Sequence, residues 1–184
     1  MHHLLALTLQ YQVLCTKHLY GRDFMWNQAI LMNRNDSLRI CHQILEFQTR
    51  GCLEFLDCTE AFRTFLQLSG IREGILNIQS KHTTASILIN ENEPLLLQDL
   101  QRMLEHLAPQ QAEYLHNDFR IRTVNMTDNE DRNGHSHCKA IFLPTSQMVN
   151  VVDGIFDLGR WQRIFLLELD QAKERSISVT ILGV

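Results

Sequence analysis

From residue 39 onward the chain is built from short apolar runs, some alternating and some continuous, separated by turn formers. Arg39 to Thr49 is a strand candidate (Ile40, Ile44 and Phe47 apolar), and Arg50-Gly51 turns it into a second over Cys52 to Leu56. Asp57-Cys58-Thr59 offers a cap ahead of a helix carrying Ala61, Phe62, Phe65 and Leu66, which Gly70 ends. Gly74 to Gln79 is a further strand. In Thr84 to Ile89 one face carries Thr84, Ser86 and Leu88 and the other Ala85, Ile87 and Ile89, because strand side chains alternate. Pro94 begins a second helix, stopped by Pro109, whose Leu96, Leu97, Leu100, Met103, Leu104 and Leu107 recur at helical spacing and predict core. Asp118 to Gly134 is polar and asparagine-rich, a long surface loop of the kind that often carries function. Strands follow at Lys139 to Leu143, at Val149 to Val152 and Ile155 to Leu158 across an Asp153-Gly154 turn, and at Ile164 to Leu169 and Ser176 to Ile181. The last two are expected to form a hairpin across Asp170 to Arg175. Many short strands and two helices predict a β-rich α+β fold, an antiparallel, jelly-roll-like β-sandwich with two helices.

Composition narrows the class. At 184 residues the chain is long enough for one sizeable core, and its net charge of -4 with scattered Lys and Arg disfavours a nonspecific nucleic-acid binder. Five cysteines without a Cys-x-x-Cys pair predict reduced thiols and a cytoplasmic protein. Residues 1–37 read as an extension. Leu4 to Leu7 is too short for a membrane span and lacks the charged start of a secretory signal, so no membrane partner is expected. The segment is nonetheless too apolar for ordinary disorder. It either covers an apolar patch or lies upstream of a native start at Met25 or Met32. The recognisable domain spans 38–184, after the polar break at 33–37.

Chemistry gathers around histidines. His82 opens Lys81-His82-Thr83-Thr84-Ala85-Ser86 at one end of a strand, with Asn90-Glu91 at the other. His116 follows the second helix in Tyr114-x-His116, and Asn133-Gly134-His135-Ser136-His137 places two more at the mouth of a predicted strand. Neutral imidazoles from separate loops suit zinc, with a fourth position left for water or substrate. The spacing is unspecific, and dispersed surface histidines are the plain alternative. Glu91 has an alternative role as a cap of the Pro94 helix.

These pieces together resemble the YjbQ-like family, also called the secondary thiamine-phosphate synthase family. The resemblance rests on His82-Thr83-Thr84-Ala85-Ser86, Asn90-Glu91, Asp99, Tyr114-x-His116, His137, Asp153-Gly154 and Leu158-Gly159-x-Trp161-Gln162. It covers the chain from about Leu38 to Val184. It implies a β-rich sandwich assembled as a homotrimer, and a thiamine-phosphate synthase activity that joins a pyrimidine pyrophosphate to a thiazole phosphate. It also implies a divalent metal, zinc first and magnesium second, on His82, His116 and His137. Glu91 and Asp99 become candidates for acid–base or ligand-orienting duty. Lys81, Thr83, Asn90, Arg160 and Gln162 become candidates for contacting a phosphorylated small molecule. Arg160 stands where the family form carries threonine, and its guanidinium suits phosphate. Metal-assisted phosphoester hydrolysis and non-catalytic binding of metal or small ligand by a trimer are the competing readings.

Overall fold

In the computed structural model the described residues are 37–184, so the extension, apart from Ser37, and its two alternative starts lie outside them. Eight strands form two antiparallel sheets. Strands β1 (Arg39–Gln48), β8 (Glu174–Gly183), β3 (Gly74–Ser80), β5 (Ser146–Val152) and β6 (Ile155–Phe156) make a five-stranded sheet in the order β1-β8-β3-β5-β6. Strands β2 (Phe55–Asp57), β7 (Gln162–Glu168) and β4 (Ala85–Glu91) make a three-stranded sheet in the order β2-β7-β4. Helices α1 (Thr59–Ser69), α2 (Pro94–Leu107) and α3 (Gly134–Ala140), with a 3₁₀ turn at Leu115–Asn117, complete a strand-rich α+β fold.

The main core draws on both sheets. Leu76, Ile78, Val149, Val151, Ile177, Val179 and Ile181 come from the larger sheet, and Ala85, Ile87, Ile164 and Leu166 from the smaller. The alternation read in β4 places Ala85 and Ile87 here, while Leu88 turns to a second cluster with Leu53, Leu104, Leu167 and Leu169. Helix α1 adds fully buried Phe62, worth about 2–3 kcal/mol of transfer free energy. Gly70 at φ 63° ends α1 in the left-handed conformation that glycine adopts without strain. The Asp153-Gly154 turn has φ of 53° and 77°, the geometry whose twist matches a two-residue hairpin.

Four expectations change. Lys139 to Leu143 is not a strand: residues 134–140 form α3, whose Gly134, His135, Ser136 and Lys139 are buried, while Ile141 and Phe142 stand 80% and 66% exposed. Burial of Ser136 with Lys139 follows the i, i+3 face of a helix, whereas in a strand those two side chains would point to opposite faces. The sheet therefore gains no strand there, and the helices number three among the described residues.

Nor do the last two strands pair with each other. β7 pairs with β2 and β4, and β8 with β1 and β3, so residues 169–173 carry the chain from one sheet to the other. The stripe on α2 is core only in part. Leu104 is buried against the small sheet, whereas Met103 and Leu107 remain 57% and 46% exposed. Finally, Glu93, not Glu91, caps α2, its carboxylate accepting the Leu95 and Leu96 N–H groups at 2.9 and 2.7 Å. Those bonds hold its pKa below the ordinary carboxylate value. Glu91 is taken up instead by β4, opposite Gln162.

Candidate functional site

The β4–β7 pair has two ends, and the candidate residues divide between them. At one end Ala85 lies opposite Glu168; at the other Glu91 lies opposite Gln162, about 20 Å away along the strand. Helix α3 sits at the first end, tied there by the Ser136 hydroxyl, which donates to the Leu169 carbonyl at 2.6 Å. The 3₁₀ turn joins it. Asn117 accepts the Gly134 N–H at 2.9 Å, and a Cβ on Gly134 would lie 2.6 Å from the Tyr114 Cβ, so glycine permits this close approach.

That packing brings His116 and His137 together, with ring centroids 4.6 Å apart and an edge-on angle of 64°. Burial and the neighbouring His116 lower the His137 pKa, so the ring is neutral at pH 7 and offers a nitrogen lone pair. Arg122, 2.7 Å from Glu130, lies on the loop beside it, and Lys173 bridges Asp131 at 2.7 Å and Asp170. Lys173 thus ties the loop 118–133 to Asp170, and within the loop Arg122 and Glu130 are only 14% and 16% exposed.

His82 is engaged differently. Its Nε2 accepts the Ser176 N–H at 2.7 Å, which leaves the proton of the neutral ring on Nδ1. Burial, then the Arg175 charge, lowers its pKa. Arg175 itself is buried in a pair with Glu168, both carboxylate oxygens of which accept further bonds from Thr49 and the Asp170 N–H. Among the described residues no three His, Cys, Asp or Glu side chains converge to hold a metal. Two imidazoles of the expected three are together; the third has its acceptor nitrogen occupied.

The remaining candidates are scattered. Lys81 and Thr83 are exposed beside His82, while Asn90, Glu91, Arg160 and Gln162 belong to the far end. Asp99 is exposed on α2 and pairs with Arg102.

Sequence reasoning named His135 beside His137 but not its burial together with Lys139 on α3. His135 is 1% exposed, and Lys139 fully buried with its ammonium 3.0 Å from Glu105. The Ser136 hydroxyl gives its proton to Leu169, so its oxygen accepts from His135 Nε2 at 3.1 Å. His135 Nδ1 is then a bare lone pair, and it has no partner. Burial and Lys139 lower the His135 pKa and keep it neutral. Cys52, whose Sγ lies 4.0 Å from His135 Nε2, is an inert thiol, its pKa raised by burial. The i, i+4 spacing of His135 and Lys139 was the available signal. All four described cysteines are free.

Fold and site together define a strand-rich α+β protein with a loop-covered imidazole pair at one end of its smaller sheet. The chain belongs to the UPF0047, YjbQ-like family, whose sequence model matches residues 43–184. A UPF0047 protein of Methanothermobacter thermautotrophicus is 41% identical over 146 residues, 79% of this chain and 94% of that protein. The UPF0047 protein YugU of Bacillus subtilis is 31% identical over 140 residues, 76% of this chain and 97% of that protein. Among solved structures, a YbjQ-like protein of unknown function from Sulfolobus solfataricus superposes with a TM-score of 0.72 at 31% identity. It covers 80% of this chain and 100% of its own. These matches carry the family and carry no reaction.

Proposed function

We propose that the chain is a metal-binding enzyme acting on a phosphorylated small molecule, with His116 and His137 as the nucleus of its metal site. The observation that carries this reading is the imidazole pair at 4.6 Å, held by two elements whose packing tolerates no side chain at Gly134. Two imidazoles suit zinc better than magnesium, which prefers oxygen. His82 is the proposed third ligand, reached only if its ring leaves Ser176 or if a neighbouring copy presents it. When bound, a divalent metal supplies a Lewis acid for a phosphoryl oxygen. Lys81 and Thr83 are the proposed phosphate contacts beside it, with Asn90, Arg160 and Gln162 as a second set.

Joining a pyrimidine pyrophosphate to a thiazole phosphate is the reaction that the family resemblance suggests for such a site, since the departing pyrophosphate needs cationic stabilisation. Glu91 and Asp99 are the proposed acid–base groups, Glu91 from the opposite end of β4 and Asp99 from an exposed turn of α2. Their remoteness favours a second reading, a trimer that binds metal or a phosphorylated ligand without turnover. Metal-assisted phosphoester hydrolysis would need the same carboxylates.

A homotrimer is proposed from the family resemblance, and the row Ile40, Leu182 and Ile75, which stand in register on the outer face of the large sheet with Met148 69% exposed nearby, is the apolar surface that would take part in it. Four free thiols favour the cytoplasm; no described helix is long and apolar enough to cross a membrane. Metal analysis of dialysed protein reloaded with zinc tests the core of this reading. One zinc per chain, lost in both His116→Ala and His137→Ala, supports it. Full occupancy in either variant overturns it. Assay of the zinc form against the two thiamine precursors and a phosphoester panel then separates synthase, hydrolase and binder.

A further inference from the structure

The far end of β4–β7 holds a cavity of about 380 Å³ that the histidines do not touch. Three guanidinium-bearing residues line it: Arg63 from α1, Arg160 from the loop before β7, and Arg163 from β7 itself. Its apolar lining includes Leu66, Phe156 and Leu158. Two carboxylates answer the three charges. Glu60 accepts from Arg63 at 2.8 Å and from Arg163 at 3.1 Å, and Asp57 accepts from Arg163 at 2.8 Å. Arg160 enters none of these pairs; its guanidinium lies 4.6 Å over the Trp161 ring. Arg160 is thus the lining guanidinium outside those pairs, beside guanidinium N–H groups that they do not use.

The loop that presents Arg160 is preformed. Gln162 Oε1 accepts the Gly159 N–H at 2.7 Å, and the Gln162 N–H donates to the Gly159 carbonyl at 2.9 Å. Those two bonds close the turn and leave the Gln162 amide nitrogen as a further donor toward the cavity. A concave site with an apolar floor and several convergent donors is the general form of a small-ligand pocket. Planar guanidinium groups match the geometry of phosphate oxygens.

We infer that this cavity is a binding site for a small organic phosphate, its phosphate on Arg160, Arg63 and Gln162 and its apolar part on Leu66, Phe156 and Leu158. The site gives Arg160 and Gln162 a ligand of their own, and it does not depend on a metal at the histidine end. Trp161 reports it. A phosphate that draws Arg160 off the indole changes the emission of a side chain already 60% exposed.

The test titrates the full chain in a Trp26→Phe background with phenyl phosphate, inorganic phosphate and phenol, following Trp161 emission and, in parallel, heat of binding. Saturable binding of phenyl phosphate is expected, tighter than inorganic phosphate, with phenol inert. Arg160→Gln should weaken it by about ten-fold or more, the loss of a charge-assisted contact. Arg63→Gln should weaken it less, because its charge is shared with Glu60. In protein dialysed free of metal, His116→Ala/His137→Ala should leave it unchanged. No saturable binding at millimolar ligand, equal affinity in Arg160→Gln, or loss in the histidine double variant would each overturn the assignment. Trp161→Phe, read by heat alone, must retain binding; its failure to do so would also count against the site.

Discussion

The two ends of the β4–β7 pair are made of opposite materials. At the Glu168 end polar groups are buried and neutral or mutually compensated: Glu168 with Arg175, Lys139 with Glu105, and three imidazoles with lowered pKa values. At the Gln162 end three charged guanidinium groups line one cavity, Arg63 and Arg163 paired with carboxylates and Arg160 outside those pairs. Burial makes lone pairs and fixed geometry, which suit a metal. Exposure keeps full charges, which suit a mobile anion. One pair of strands thus separates two kinds of recognition by its own length.

The sharpest way to break this contrast is to uncompensate the buried end. Glu168→Ala leaves the Arg175 guanidinium buried and unpaired, so unfolding in urea should show a loss of about 3–5 kcal/mol. A loss near that of a surface substitution would mean that the end is open to water. Acid is the next lever. Because the folded pKa values of His82, His135 and His137 lie below the ordinary value near 6.5, the unfolded chain binds protons first as pH falls. Stability should be at full strength above that value and fall between about pH 7 and 5, before the carboxylates titrate. A melting temperature flat across that window would contradict the neutral, buried histidines.

A smaller effect concerns assembly. Light scattering at micromolar protein should give three times the chain mass, and Ile75→Lys, in the apolar row, should lower it; a monomer in the unsubstituted chain removes the homotrimer. The smallest effect is expected at Asp99→Asn, within about 0.5 kcal/mol, since its pair with Arg102 is a surface one. A large change in turnover in that variant would restore Asp99 as an acid–base group.

Much of the fold was legible from local pattern. Strand alternation around Ala85 and Ile87, the Asp153-Gly154 turn and the Gly70 helix end each depend on neighbours in sequence. What escaped depends on distant partners. Nothing near β7 and β8 says that they join different sheets, because the partners that separate them, β2 and β4 for β7 and β1 and β3 for β8, lie far off in sequence. Helix α3 escaped because the apolar run that follows Lys139 imitates a strand, while the residues that fix the helix, His135 and Lys139, are polar ones buried by tertiary contact. The site followed the same rule. Residue types pointed to His116 and His137, but only packing set them 4.6 Å apart, and only packing turned His82 to Ser176. His135, named beside His137 in the same motif, is the more deeply buried of the two.

The separation of the two ends is the central claim, and a residue-resolved titration tests it directly. Amide spectra of the isotope-labelled chain, recorded with zinc alone and, on the metal-free chain, with phenyl phosphate alone, should move two disjoint sets of signals. Zinc should shift residues between Tyr114 and Lys139, and phenyl phosphate residues around Arg63 and from Gly154 to Arg163. Zinc-induced shifts at Arg160 and Gln162, or phosphate-induced shifts at His116 and His137, would show a single site and contradict the account.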